Sequence, residues 1–318
     1  MDRRAFLVAL TPLVAGCFGG EPSGSDATAT PTGTPEPTAT ETPEPTATPT
    51  ATATPEPEAS PEAAQQIDAA QDRFTEAVYV YTGGVTDDLL SVTAETEEFR
   101  ARDVLLRLDR VQRALAEAEV EATTDEQRET VDALDTMQRF LTLATDAQSW
   151  LVDGHDALRE AYSHMDDNDL QDAEDDIERV ETASEELSDP TNTLQEEMDA
   201  SAASVTDAVS EDEYESKVTQ LLDETETLDA LGDDAADIRN GLTLIADARD
   251  DIDDDRTDEA ADTADRAYEV LSDAEDRLDE RSNDLPARAD AFADVVDDLL
   301  DLASSRASEA ENIHDQYS

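Results

Sequence analysis

From residue 62 to residue 318 apolar side chains recur at three- and four-residue steps, and that spacing restricts the chain to packed helices. Val104, Leu105, Leu108, Val111, Leu115 and Ala118 share one helical face. So do Met137, Phe140, Leu141, Ala144, Ala147 and Leu151, and then Ala173, Ile177, Val180, Ala183 and Leu187. Leu221, Leu222, Thr225, Leu228 and Leu231 continue the series, and Phe292, Val295, Val296, Leu299, Leu300 and Ala303 close it. The opposite faces are almost wholly Asp and Glu. Helices of this kind must pair with one another to bury their stripes. Sustained strand alternation is absent, and Val78-Tyr79-Val80-Tyr81 before Gly83-Gly84 is the one β-like patch.

Breaks fall at Gly83-Gly84, around Thr123-Thr124-Asp125, at Asp166-Asp167-Asn168 and at Asp189-Pro190-Thr191-Asn192. Later ones fall near Ser210, near Asp254-Asp255-Arg256-Thr257 and at Ser282-Asn283-Asp284. Ser60 followed by Pro61 reads as an N-cap with proline in the first turn. Thr124 with Gln127, Thr193 with Glu196 and Ser210 with Glu213 have capping-box spacing. The expected fold is all-α: an elongated antiparallel bundle of about six to eight helices with an alanine-rich core, following a disordered linker.

A register shift of 91 residues lays 132–210 over 223–301, matching Leu151 to Leu242, Leu187 to Leu278 and Asn192 to Asn283. This echo reads as a duplicated unit. Ninety-one is also thirteen heptads, so seven-residue periodicity alone would align the apolar positions. Both origins stay open at this stage.

The charge balance sets the solvent. Net charge is −62, from 83 acidic and 21 basic side chains, and Lys217 is the only lysine. Self-repulsion at that density is severe in dilute buffer. At molar salt the screening length falls to about 3 Å and most of the repulsion vanishes. Short carboxylates also hold water and cations, whereas lysine stems expose methylenes that salt drives together. The composition resembles that of proteins from extreme halophiles, haloarchaea above all. Nucleic-acid binding is excluded, since phosphate contacts need basic patches. Solvent cations are expected to associate non-specifically.

Residues 1–17, MDRRAFLVALTPLVAGC, run from charge through a short apolar segment to small residues and one thiol. The apolar run from Ala5 to Gly16 is shorter than the roughly 20 residues that span a bilayer, and it fits a secretion signal. Arg3, Arg4, Phe6 and Leu7 resemble the twin-arginine export signal. Val14-Ala15-Gly16-Cys17 resembles the lipobox of prokaryotic lipoproteins. The resemblance covers these 17 residues and implies cleavage between Gly16 and Cys17, with lipid on the Cys17 sulfur. It places the protein outside the cytoplasmic membrane, anchored to the outer face. Residues 17–61 form the lipidated terminus and a linker of Thr, Pro, Glu and Ala, in units such as Thr34-Pro35-Glu36-Pro37-Thr38. Such a stretch buries no core, and the 44 residues from 18 to 61 reach about 136 Å fully extended.

No residue pattern calls for catalysis, a cofactor or a structural metal. His155 and His164 are nine apart, on opposite helical faces, and are expected to be partly exposed. Asp250 to Asp255 resembles the opening of a calcium loop, but Arg256 stands where glycine is required and Asp262 where glutamate is. Trp150, Tyr162, Tyr268 and Phe292 are expected to be core residues. The function expected from this reading is a lipid-anchored surface protein with a structural or protein-interaction role at the envelope. The alternative is an extracytoplasmic receptor capturing a small molecule or metal.

Overall fold

A computed structural model describes residues 57–84, 88–197 and 199–318. The export signal, Cys17 and most of the linker lie outside the described residues. Seven α-helices and three short 3₁₀ turns make up the described secondary structure, with no strand among the described residues. The helices are α1 (Pro61–Tyr81), α2 (Ala101–Glu121), α3 (Asp125–Asp166), α4 (Leu170–Glu197), α5 (Glu211–Asp253), α6 (Thr257–Asp284) and α7 (Ala293–Tyr317). The β-like patch Val78–Tyr81 is the last turn of α1. Burial on one helical face outweighs β propensity there: Val78 and Tyr81 face the core while Tyr79 faces out.

Each helix runs antiparallel to the one before it. Glu76 meets Arg107 across α1 and α2, and Glu160 meets Arg179 across α3 and α4. Asp237 meets Arg277 across α5 and α6, and Ser282 meets Asp297 across α6 and α7. The odd-numbered helices consequently run parallel, so Gln148 of α3 meets Lys217 of α5 and Arg249 of α5 meets Glu309 of α7. Helices α3 and α5, of 42 and 43 residues, extend about 63 Å each and form the centre on which the others pack. Their shared interior holds Leu134, Leu141, Leu151, Leu158, Leu221, Leu228 and Leu231, interleaved with fully buried alanines. Each buried leucine contributes about 1.5–3 kcal/mol.

The turns follow from local chemistry. Ser60 caps α1, Thr124 caps α3 and Ser210 caps α5, each accepting a backbone N–H three residues on. Gln127 reaches past the N-cap residue rather than back to the Thr124 amide. Its side chain accepts from the Thr123 and Ser60 amides and donates to the Ser60 carbonyl, fastening the start of α1 to the start of α3. Three helices end in the same reverse turn with a residue at positive φ: Gly83 after α1, Asn168 after α3 and Asp255 after α5. After α3, Asn168 N–H donates to Met165 O and Asp169 N–H to His164 O. After α5, Asp255 N–H donates to Ile252 O and Arg256 N–H to Asp251 O.

That identity of turns shows an internal recurrence in a register of 87 residues. A helix of 42 or 43 residues, the reverse turn and a 28-residue helix occur twice. Gly154 and Gly241 also stand 87 apart. At each, an added Cβ would lie within 2.6 Å of a leucine carbon on a neighbouring helix. The 91-residue register differs by four, about one helical turn, so apolar stripes coincide in both. The turn positions, the matched helix lengths and the glycine pair fit the register of 87.

The expected break at Pro190 does not occur. Helix α4 continues through it to Glu197. Proline removes one helical hydrogen bond, but Leu187, Thr191 and Leu194 are buried on either side and hold the helix to its neighbours. The Thr193 and Glu196 pair accordingly lies inside α4 and caps nothing; the Thr193 hydroxyl bonds to Asp189 O.

Candidate functional site

Between α1 and α2, residues 88–99 run as an irregular segment with only a short 3₁₀ turn at Leu89–Ser91. Leu89, Val92 and Ala94 are nonetheless buried. A buried segment without regular structure needs partners for its backbone polar groups. Helix α5 supplies them. Glu213, Lys217, Gln220 and Glu224 form one stripe at steps of four, three and four residues. Glu213 Oε1 accepts from Leu89 N–H at 2.8 Å. Lys217 Nζ donates to Val92 O at 2.6 Å, and Gln220 Nε2 reaches Leu90 O and Val92 O at 3.4 Å.

Lys217, the single lysine, is wholly inaccessible to solvent. Besides Val92 O, its ammonium donates to Gln148 Oε1 of α3 at 2.8 Å and to Gln220 Oε1 at 3.1 Å. Its three donors are thereby used. The Tyr81 ring of α1 lies 5.6 Å from the ammonium, and the Tyr81 hydroxyl bonds to Gln148 Oε1 at 3.4 Å. Glu224 accepts from Gln220 Nε2 at 3.2 Å. Its second oxygen, like Gln148 Nε2, has no hydrogen-bond partner among the described residues.

Burial dominates the electrostatics. It brings the Lys217 ammonium down to about 8, opposed by the charges of Glu224 and Asp88. It lifts the Glu224 carboxyl to about 7, opposed by Lys217, the Ala94 backbone amide and Gln220. Tyr81 is held well above the ordinary phenol range by burial and then by Glu224. Chemically the arrangement is a clasp: a saturated ammonium offers no lone pair for attack, and its three acceptors belong to α3, α5 and the irregular segment.

Beside this clasp, a cavity of about 410 Å³ opens at the end of α1. Tyr79, Tyr81, Phe99 and Arg100 line it together with Thr82 and Thr96. Phe99 packs edge-on against Tyr81 at 5.2 Å between ring centroids.

The residues considered in the sequence are scattered. His155 is buried against Phe292, with ring centroids 5.3 Å apart, and burial lowers its pKa. Partial exposure was expected; the ring is instead packed against Phe292, in the 3₁₀ turn that leads into α7. His164 pairs with Asp176 at 2.8 Å across the α3–α4 hairpin, and this hydrogen bond raises its pKa. Trp150 and Tyr162 are half-buried on the core margin and Phe292 is fully buried, whereas Tyr268 is exposed. Tyr268 follows buried Ala267 by one residue, which turns it outward. Asp251 and Asp254 bond to Arg256 and secure the turn after α5. The export and lipid residues Arg3, Arg4, Phe6, Leu7, Gly16 and Cys17 lie outside the described residues.

No helix of the described residues is long and apolar enough to cross a membrane. Comparison of the chain with protein-family models, with curated proteins and with solved structures finds no match.

Proposed function

We propose that this chain is a lipid-tethered helical protein of the cell envelope, held through Cys17 and acting by structure or protein contact in concentrated salt. The observation that carries the reading is the order of segments. A twin-arginine-like start, an apolar run and a lone cysteine precede a Thr/Pro/Glu spacer, and only then does a helical body begin at Pro61. The outward faces of that body are carboxylate-rich, and several of its charged pairs link one helix to the next. The buried ionisable cluster at Lys217 supports the same reading, because its ammonium spends its three hydrogen bonds on tying the segment at Val92 to α3 and α5.

Replacing Cys17 with Ser tests the anchor. The variant should leave the membrane fraction, or accumulate as an unprocessed precursor. Unchanged membrane retention with unchanged lipid labelling would overturn the proposal.

A second reading, capture of a small molecule, is favoured by the cavity at Tyr81, Phe99 and Arg100. Its mixed lining of aromatic rings, hydroxyls and an Arg100 guanidinium paired with the Glu98 carboxylate suits an aromatic or hydroxylated ligand. Native mass spectrometry of protein purified from its own cells should then reveal a retained small molecule, lost in the Phe99→Ala variant. A bare mass in the parent protein would leave the structural reading alone.

A further inference from the structure

We infer that the outer face of α2 is a docking surface for a second copy of this chain, with the two α2 helices antiparallel. Helix α2 lies at the margin of the bundle and packs mainly on α1 and α3. Its inner face is Val104, Leu108, Val111, Ala114, Leu115 and Ala118. Its outer face carries a second seam, Arg102, Leu106, Asp109, Arg113, Ala116 and Val120, all exposed. The steps are four, three, four, three and four residues, the spacing of a coiled-coil contact line.

Three observations set this face apart from the other outward faces. The described residues expose four large apolar side chains, and two of them, Leu106 at 49 % and Val120 at 81 %, are on this seam. Five of the chain's 21 basic residues fall between Arg100 and Arg113, on the most basic stretch of a chain with net charge −62. Finally, the seam's own charges are unspent. Asp109 and Arg113 are one helical turn apart, yet Arg113 Nε bonds to the Asp109 backbone oxygen, and neither side chain makes an ion pair among the described residues. Arg102 also lacks one, whereas Arg107 on the flank is paired to Glu76.

The seam is complementary to itself when reversed. Around a two-fold axis at its midpoint, Asp109 faces the partner's Arg113 and Arg113 faces the partner's Asp109. Leu106 then faces the partner's Ala116, large against small, and the aliphatic stem of Arg102 covers the partner's Val120. Gln112 meets the partner's Gln112 on one flank. On the other flank Arg110 meets its own copy between layers of Asp103 and Glu117, so that side adds little net attraction. A two-fold contact of this kind uses each pair twice and closes at a dimer. One 21-residue helix face per copy is small, so the dimer is weak and concentration-dependent. Concentrated salt screens the Arg–Asp pairs but strengthens the Leu106–Ala116 contact. The inference stands independently of the lipid anchor.

The test uses the full chain with Cys17→Ser, followed by analytical ultracentrifugation in molar salt over a concentration series. A reversible monomer–dimer equilibrium is expected. Asp109→Arg and Arg113→Asp should each weaken it by about tenfold or more, since each turns two attractive contacts repulsive, and the double reversal should restore it. Adding Leu106→Cys with Ala116→Cys should give disulfide-linked dimers, while Leu106→Cys alone should not. These positions are exposed, so unchanged helical circular dichroism verifies folding. A monomer at every concentration overturns the proposal. So does a dimer indifferent to the two charge reversals, or one crosslinked by Leu106→Cys alone.

Discussion

Lys217→Met should destabilise the protein far more than an ordinary core substitution. Methionine matches the length of the lysine stem but donates nothing. Val92 O, Gln148 Oε1 and Gln220 Oε1 would lose donors now at 2.6, 2.8 and 3.1 Å. Each buried acceptor left unsatisfied costs about 1–3 kcal/mol. Val92 O retains a long contact from Gln220 and Gln148 Oε1 one from Tyr81, both at 3.4 Å, so the full penalty does not fall on every acceptor. Removing the ammonium also relieves its own desolvation. The net expectation is a loss of about 3–5 kcal/mol, as for breaking one side of a buried charged cluster. That is a large part of the roughly 5–15 kcal/mol available to a folded domain. Urea unfolding in molar salt, followed by circular dichroism, measures it. Hydrogen exchange at the Leu89 and Ala94 amides should accelerate first, because the irregular segment loses its clasp. Removing the opposing carboxyl as well, in Lys217→Met with Glu224→Leu, should recover much of the loss. A loss below about 1 kcal/mol with unchanged exchange would refute the reasoning.

Three other outcomes follow from the same geometry. Glu224 holds its proton more tightly when folded, so its contribution to stability is full below the ordinary carboxyl range and is lost as pH rises through about 7. Lys217 acts in the opposite sense, its contribution full above the ordinary lysine range and lost as pH falls through about 8. The stability advantage of Glu224→Gln over the parent should therefore grow from about pH 5 to pH 7, and chemical denaturation of both across that range will show whether it does. Gly241→Ala gains about 1 kcal/mol of helix propensity but puts its Cβ 2.5 Å from Leu271 Cγ, an overpacking cost of about 1–3 kcal/mol. A lowered melting temperature is expected, and an increase would contradict the close α5–α6 approach. Dilution to about 0.1 M salt should abolish cooperative melting, because 83 acidic side chains then repel across a screening length near 10 Å. Undiminished melting there would remove the halophilic reading.

The helices were legible because their faces differ so sharply: a stripe of Leu, Val and Ala against Asp and Glu leaves one solution at helical period. The breaks at Gly83, Thr124, Asn168, Ser210 and Asp255 were legible because each has a cap residue or one that tolerates positive φ. Pro190 misled because its cost is local, while the burial of Leu187, Thr191 and Leu194 that outweighs it is tertiary. The recurrence register was ambiguous by one helical turn, and the matched helix lengths and turn positions favour 87. The Lys217 clasp was hidden for a different reason. Tyr214, Lys217, Leu221, Glu224 and Leu228 occupy one buried stripe, and a charged side chain on such a stripe interrupts the apolar pattern. A sole lysine placed seven residues before a glutamate, both at core positions, was the available signal. Its meaning depends on the segment at 88–99, whose passage over α5 no periodicity announces.

Intact-mass analysis of the protein taken directly from membranes tests the central proposal most directly. The tethered account predicts a polypeptide beginning at Cys17 and carrying a thioether-linked lipid. A chain beginning at Met1, unmodified and recovered from the cytosol, would contradict it.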